Sequence, residues 1–223
     1  MNDNVVIIGM TQFSEWVCQS INKEGCAHVV AFSAEKKYCT VSSFMGLPVI
    51  PIEELANHFD KRKTKLLVTV GYKKMNQVRE RIFEEVKERG WSHYTYVSTS
   101  SIVDHSAVIE PGAIIMPSAY IGPNVHIGRG TIINVCAVLS HEIEIGDFCF
   151  IAPQAVFGGN STFGKNCFIG LNSTIMNGVR IEDFNLIGAS ACISKNTVEY
   201  GCYIASATKR MERFKSTDII DMV

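Results

Sequence analysis

The stretch Ile115–Ile133, IMPSAYIGPNVHIGRGTII, carries an isoleucine at every sixth position. The same spacing continues in both directions without an insertion, so that sixteen large apolar residues stand six apart between Val103 and Ile193. A glycine directly follows seven of them, and a small or β-branched residue often stands four places after them. A period of six fits neither an α-helix nor a simple alternating strand. It predicts a hexapeptide β-solenoid, in which short strands stack coil upon coil around an apolar core.

A different pattern precedes the repeats. Apolar runs at 5–8, 28–32, 47–50 and 66–70 alternate with helical segments at 11–23, from 52 onward, and at 76–89, and a further strand at 94–97 leads into the repeats. This alternation predicts a small, mostly parallel α/β sheet of the Rossmann kind. Ligands of such sheets lie beyond the carboxyl ends of the strands, here the loops after Ile8, Phe32 and Val70. We therefore expect a Rossmann-like domain over 1–100, the solenoid over 101–200 and a C-terminal cap over 201–223, helical at 205–214.

Composition narrows the possible environments. A formal net charge of −1 with 19% charged residues argues against broad nucleic-acid or membrane-surface binding. No apolar run approaches the length of a membrane span, and the N-terminus does not have the pattern of a leader peptide. The eight cysteines form no C-x-x-C pair, which is typical of free thiols in a cytoplasmic protein. Cys149 and Cys167, three hexads apart, are expected to stack in the core.

The segment HEIEIGDFCFIAP, residues 141–153, resembles the catalytic stretch H-[DE]-x-x-I-G-[DE]-x-x-x-I-A-P of one acyltransferase family. These are bacterial nucleotide-sugar acetyltransferases of the sialic-acid O-acetyltransferase type, which include the UDP-4-amino-sugar N-acetyltransferase of bacillosamine synthesis. The likeness covers nearly the whole chain. It implies a left-handed parallel β-helix, a homotrimer with active sites between subunits, acetyl-CoA as acyl donor, and an N-terminal domain that holds the nucleotide sugar. It implies no metal.

The resemblance also assigns roles to single residues. His141 would be the general base and Glu142 would orient its imidazole, while Asn134 would support the substrate. The backbone N–H of Gly159 would meet the thioester oxygen of acetyl-CoA, a close approach that glycine permits. Histidine's ordinary pKa of about 6.5 suits a base at neutral pH, and a carboxylate on the second ring nitrogen fixes the tautomer.

Each of these residues has a simpler interpretation. His141 could be an exposed turn histidine, Asn134 a turn or inward-ladder residue, and Gly159 a plain turn glycine. His105 lies two coils before His141 and suggests the zinc site of the γ-class carbonic anhydrases. The third histidine of such a site is replaced by Gly146, so we expect His105 to be a surface residue.

The N-terminal part departs from the family. Its first loop, GMTQF at 9–13, lacks the family's glycines, so Thr11 and Gln12 would replace them with side-chain hydrogen bonds. Cations follow the strands instead, and they would hold a pyrophosphate by charge or else be plain solvated side chains: Lys36, Lys37, Lys73 and Lys74. Near the C-terminus, Lys209 and Arg210 would contact the CoA phosphates, with Lys165 and Arg180 as weaker candidates. Phe150 stands where some members carry a second active-site histidine.

The sequence thus predicts an acyltransferase that moves an acetyl or other short acyl group from CoA to an amino group on a nucleotide-linked deoxysugar. Two alternatives stay open. The chain could O-acetylate a free sugar such as a sialic acid, or it could be a non-catalytic trimeric solenoid. The pair His141-Glu142 favours an enzyme over the second alternative.

Overall fold

The computed structural model describes residues 3–208. Its N-terminal part is a six-stranded sheet in the order β3-β4-β2-β1-β5-β6, parallel except between β3 and β4. The elements, with 3-10 turns at Lys36–Tyr38 and Ile52–Glu54, are β1 Asn4–Ile8, α1 Gln12–Glu24, β2 His28–Ala34, β3 Ser43–Phe44, β4 Leu47–Pro51, α2 Leu55–His58, β5 Thr64–Val68, α3 Gln77–Glu88 and β6 Ser92–His93.

The central strand β1 is buried on both sides, which explains its unbroken apolar run. Val5 and Ile7 pack with the α1 side of the sheet, and Val6 and Ile8 pack with α2 and α3. Helix α1 begins at the N-cap Thr11 and ends at Gly25, whose φ of 63° lies in the left-handed region that favours glycine. The expected Rossmann-like sheet is confirmed.

Eighteen two-residue strands form the solenoid. In chain order they are β7 Tyr96–Val97, β8 Ile102–Val103, β9 Val108–Ile109, β10 Ile114–Ile115, β11 Tyr120–Ile121, β12 His126–Ile127, β13 Ile132–Ile133, β14 Val138–Leu139, β15 Glu144–Ile145, β16 Phe150–Ile151, β17 Val156–Phe157, β18 Thr162–Phe163, β19 Phe168–Ile169, β20 Thr174–Ile175, β21 Arg180–Ile181, β22 Leu186–Ile187, β23 Cys192–Ile193 and β24 Cys202–Tyr203.

These strands build three parallel sheets, and in every pair but the last each residue pairs with the one 18 positions later, as Ile115 does with Ile133. In the last pair, β22 with β24, the separation is 16. We call the sheets PB1 (β7, β10, β13, β16, β19, β22, β24), PB2 (β8, β11, β14, β17, β20, β23) and PB3 (β9, β12, β15, β18, β21). The second residue of each strand points inward, so the sixfold apolar series becomes one continuous core. The predicted left-handed parallel β-helix is confirmed.

The corners of the solenoid share one backbone feature. In each hexad from Ile115 to Ile187, the third residue after the inward apolar one has a positive φ, as Asn124 (53°) and Glu142 (55°) do. This left-handed residue turns the chain between two sheets, and it explains the recurrence of Asn and Gly at these places. Cys149 and Cys167 stack in adjacent coils of the buried core, as expected. Burial raises the pKa of the Cys149 thiol, with a further contribution from Cys167, which keeps it unreactive.

The N-terminal sheet is attached to the solenoid by an apolar face and by a buried arginine. Ile114 and Ile132, on the outward side of PB1, pack with the α1 side of the sheet. Arg79 of α3 is fully buried and donates only to backbone carbonyls. Its acceptors are Gly130 (2.9 Å), Phe148 (2.7 Å) and Cys149 (3.0 Å) in the solenoid and Val70 (3.2 Å) and Gly71 (3.3 Å) after β5. Burial lowers the pKa of Arg79 to about 10.

Three local predictions need adjustment. The third long strand is Thr64–Val68 rather than 66–70, because its partner β1 ends at Ile8, opposite Val68. The strand expected at 94–97 is divided, since Ser92–His93 completes the N-terminal sheet while Tyr96–Val97 begins the solenoid. Of the helix expected at 205–214, residues 205–208 are neither helix nor strand, and the remainder lies outside the described residues.

We predict that Arg79→Ala lowers the free energy of unfolding by about 3 kcal/mol or more, because it leaves the carbonyls of Val70, Gly130 and Phe148 without a donor inside the protein. Urea denaturation followed by circular dichroism measures the change. Arg62→Ala is the matched control, since the Arg62 side chain is 89% exposed and, within the described part of the chain, pairs with Asp60 alone. If Arg79→Ala lowers the free energy of unfolding no more than Arg62→Ala does, the buried guanidinium does not stabilise the junction between the N-terminal sheet and the solenoid.

Candidate functional site

His141 lies at the corner between PB2 and PB3, directly against the next coil. Its imidazole covers the Cα atom of Gly159, 18 residues later. A methyl group placed on Gly159 would lie 2.5 Å from Nε2 and 2.9 Å from Nδ1 of His141. The backbone of Gly159 has a φ open to any residue, so glycine is required here by this contact and not by the turn. The structure therefore brings together two of the predicted site residues.

The His141 imidazole and the backbone N–H of Gly159 both remain able to form hydrogen bonds. The imidazole nitrogens of His141 have no polar partner within residues 3–208, and the side chain is exposed at the corner. The carbonyl of Gly159 accepts from the N–H of Gly178 at 2.9 Å, whereas the N–H of Gly159 makes no hydrogen bond within the same residues. The exposed His141 imidazole thus lies on the buried Gly159, and neither the imidazole nor the Gly159 N–H has a hydrogen-bond partner in the described chain.

Glu142 makes a different contact from the one expected. Its left-handed backbone and its N–H, which donates to the carbonyl of Pro123 at 2.9 Å, fix it at the corner. The Oε1 atom accepts from Nδ2 of Asn124 at 2.9 Å in the preceding coil, and Oε2 has no partner in the described part of the chain. Asn124 was missed by the sequence reasoning, although its separation of 18 residues from Glu142 could have indicated the contact.

Asn134 is placed at another corner, between PB1 and PB2. It is 3% exposed, and its Nδ2 donates to the carbonyl of Ile151 at 2.8 Å. This is the inward hydrogen bond of a solenoid ladder. The structure does not bring Asn134 next to His141 within one chain, because strand β14 separates the two corners.

Two other histidines of the solenoid differ from His141. His126, on PB3, lies between Glu144 (2.9 Å to Nδ1) and Glu110 (3.3 Å to Nε2). Burial opposes its charged form, but the two carboxylates outweigh this and raise the pKa of His126. The His105 side chain is 97% exposed, 3.3 Å from Asp104. Within residues 3–208, no group of three His, Cys, Asp or Glu side chains is arranged to hold a metal ion.

A cleft of about 510 Å³ opens at the carboxyl ends of β1, β2 and β5, where the sequence placed the ligand loops. Thr11 and Lys37 line it, together with Lys73 and Lys74. Gln12 is the exposed first residue of α1. Lys36 instead forms an ion pair with Glu54 at 3.2 Å.

The remaining predicted contacts are distributed as follows. Lys209 and Arg210 lie outside the described residues. Arg180 pairs with Glu182 at 2.8 Å on PB3. Phe150 stacks on Phe168 with ring centroids 5.5 Å apart, and the exposed Tyr72 contacts both rings. An aromatic surface therefore lies at the position that the resemblance compares with a second histidine.

Two family models match the chain. The PglD N-terminal domain matches residues 4–86, and the GMPPB C-terminal domain matches residues 97–167. A search of curated protein sequences finds no significant match. Within the described residues, no helix is long and apolar enough to cross a bilayer.

Solved structures of similar fold cover almost the whole chain. The acetyltransferase domain of PglB from Neisseria gonorrhoeae is 23% identical with a TM-score of 0.83, and the match covers 92% of this chain and 97% of that one. PerB from Caulobacter crescentus, solved with CoA and GDP-perosamine, is 23% identical with a TM-score of 0.80, over 91% and 94%. WeeI from Acinetobacter baumannii is 17% identical with a TM-score of 0.68, over 86% and 97%. The two-part fold predicted from the sequence is therefore shared with acetyltransferases.

We predict that Gly159→Ala displaces the His141 imidazole, since the added methyl group would overlap the ring. The ring proton signals of His141 should shift in an NMR spectrum while those of the other histidines stay in place. The melting temperature should change by no more than about 4 °C, because the backbone accepts alanine. Unmoved His141 signals would contradict the contact.

Proposed function

We propose that the chain is an acyl-CoA-dependent acyltransferase that moves an acetyl or short acyl group to the amino group of a nucleotide-linked deoxysugar. The observation that carries this proposal is the His141 imidazole lying on Gly159, whose backbone N–H has no partner among residues 3–208. The fold is shared with PglB, which has been solved with acetyl coenzyme A, and with PerB, solved with CoA and GDP-perosamine. We infer the same classes of donor and acceptor here.

The proposed chemistry needs one base and one oxyanion donor. Acetyl-CoA supplies the acyl group as an activated thioester. His141 accepts a proton from the acceptor amine while the amine nitrogen bonds to the acyl carbon. The imidazolium then returns that proton to the CoA sulfur as the C–S bond breaks. The N–H of Gly159 donates to the acyl oxygen, where negative charge develops.

Glu142 acts as a positioning residue in this scheme. Its Oε2 atom has no partner in the described chain, so we infer that this oxygen turns to the His141 ring when substrate is bound. The hydrogen bond from Asn124 to Oε1 would keep the Glu142 carboxylate in place before and after this turn. Asn134, buried at the neighbouring corner, would support the substrate by fixing the wall of its coil.

We assign acceptor binding to the N-terminal segment, 1–100, and acyl transfer to the solenoid, 101–200. The cleft lies where sheets of this kind bind nucleotides. Thr11 and Lys37 line it, and Gln12 and Lys36 stand beside lining residues. Lys209 and Arg210, in the C-terminal segment 201–223, remain our candidates for the CoA phosphates.

We further propose a homotrimer. The N-terminal part contacts PB1 and both corners of PB1, through Arg79 on one side and through Glu24, which accepts from Ser98 at 2.6 Å, on the other. His141 lies at the third corner. An acceptor held in one subunit's cleft would therefore reach the His141 of a neighbouring subunit.

The surface of PB2 supports this assembly. Four outward side chains that pair in register along this sheet are apolar and exposed: Ile102, Tyr120, Val138 and Val156. A continuous exposed apolar row of this kind is typical of a protein interface. We expect another copy of the chain to cover it.

The test of function is CoA release from acetyl-CoA with UDP-, dTDP- and GDP-linked amino deoxysugars and with free sialic acid. We expect turnover with one nucleotide amino sugar, and His141→Asn should reduce kcat by about 10²–10⁴-fold because the base is lost. Glu142→Gln should reduce kcat less.

Activity on free sialic acid alone would instead identify an O-acetyltransferase. Undiminished turnover in His141→Asn would refute the mechanism. If no CoA is released with any acceptor, or with longer acyl-CoA donors, the result would favour the non-catalytic solenoid.

For the assembly, we predict that Val156→Lys yields monomers in sedimentation equilibrium, because it places a charge in the apolar row of PB2. Thr162→Lys is the matched control, an exposed outward residue of PB3 in the same coil, and should leave the trimer intact. A trimer that survives Val156→Lys would place the interface elsewhere.

A further inference from the structure

The cleft at the sheet edge differs from the usual phosphate site in the position of its positive charge. In sheets of this kind a phosphate is ordinarily held by a glycine-rich turn at the N-terminus of the first helix. Here that turn is Gly9-Met10-Thr11. The lysines of the cleft instead follow β2 and β5, the strands on either side of β1.

The β1–α1 turn is already filled by its own hydroxyl groups. The N–H of Ser14 donates to Thr11 Oγ1 at 3.3 Å, and the N–H of Thr11 donates to Ser14 Oγ at 3.2 Å. A hydrogen bond of 2.8 Å joins Ser14 Oγ to Thr69 Oγ1. A methyl group on Gly9 would lie 2.7 Å from Thr69 Oγ1 and 2.9 Å from Ser14 Oγ, so hydroxyls occupy the space beside this glycine.

The charge of the cleft is strongly positive. Four cations line it, Lys37, Lys73, Lys74 and Arg81, against the single carboxylate Glu35. Burial alone would raise the pKa of Glu35, but Arg81 and Lys37 outweigh this and hold it below its ordinary value. Lys37 and Arg81 are thereby engaged, at 3.5 Å and 3.0 Å from Glu35.

Lys73 and Lys74 are the two cations of the cleft that do not pair with Glu35. Neither ammonium group has an ion pair or hydrogen bond within residues 3–208, although both line the cleft. The chain as a whole has a net charge of −1, so this excess is local. Two unpaired ammonium groups in one cleft attract a ligand that carries two adjacent negative charges.

The loop that carries these lysines is held rigidly by the solenoid. Lys74, Met75 and Asn76 have φ values of 52°, 50° and 64°, a left-handed run that is strained for residues other than glycine. Nδ2 of Asn76 donates to the carbonyl of Cys167 at 3.1 Å, and Nδ2 of Asn166 donates to the carbonyl of Met75 at 3.2 Å. A fixed loop binds its ligand without an ordering cost at that moment.

We propose that Lys73 and Lys74 hold the diphosphate of a nucleoside diphosphate group, and that the β1–α1 turn does not. The inference rests on the proposed function for the identity of the ligand, and it adds the residues that recognise its charge. Lys37 stands beside the same site and exchanges its pairing with Glu35 for the ligand.

The test is calorimetric titration with UDP, GDP and dTDP, and with the matching uncharged nucleosides. In Lys73→Ala/Lys74→Ala the affinity for the diphosphate that binds best should fall on the order of 100-fold, from two lost charge-assisted hydrogen bonds. Affinity for the nucleoside should not change. The control is Arg62→Ala/Lys63→Ala, which removes two exposed positive charges from the same domain outside the cleft.

Kinetics separate this proposal from the proposed function. With a nucleotide amino sugar as acceptor, the lysine variant should raise the acceptor KM and leave kcat and the acetyl-CoA KM unchanged. Loss of diphosphate affinity in a protein without acyltransferase activity would uphold the lysine site and refute the function.

Three results would overturn the proposal. One is unchanged diphosphate affinity in the double lysine variant, and another is that none of the three diphosphates binds. The third is a loss in Gln12→Ala as large as in the lysine variant, which would return the diphosphate to the β1–α1 turn.

Discussion

The 18-residue ladder is the constraint on which the rest of the structure depends. A coil of three hexads stacks each residue on the one 18 positions away, at the spacing of about 4.8 Å that all parallel strands share. That repeat puts the His141 imidazole on Gly159 and the carboxylate of Glu142 beside Asn124. The candidate site is therefore a consequence of the fold's period.

The buried guanidinium of Arg79 links the ladder to the N-terminal sheet. Among the described residues it pairs with no carboxylate. Carbonyl oxygens from the solenoid corner and from the loop after β5 therefore offset the cost of burying its charge. Arg79 thus sets the position of the loop that bears Lys73 and Lys74 relative to the coils. Asn76 and Asn166 add amide contacts at the same junction.

The cleft of the N-terminal part and the His141 corner of the solenoid are separate surfaces of one chain. The N-terminal part occupies PB1 and its corners, while His141 stands at the remaining corner, next to the exposed apolar row of PB2. A solenoid presents each corner in a different direction, so residues only seven apart, such as Asn134 and His141, belong to different surfaces. In the proposed homotrimer, assembly of copies would join the cleft to His141.

Sequence alone determined the solenoid, because an unbroken period of six has few physical solutions, and it determined the α/β sheet from alternating strands and helices. It also placed the cleft, since carboxyl ends of parallel strands meet at one edge. Through the family resemblance it predicted His141 and Gly159 as site residues, and the structure brings these two into contact. Tertiary structure decided what the period does not encode. The partner of Glu142 proved to be Asn124, the amide of Asn134 is used inside a coil, and Ser14 with Thr69 fills the β1–α1 turn. These are side-chain contacts between distant segments, and they depend on packing and rotamer choice that no spacing in the sequence records.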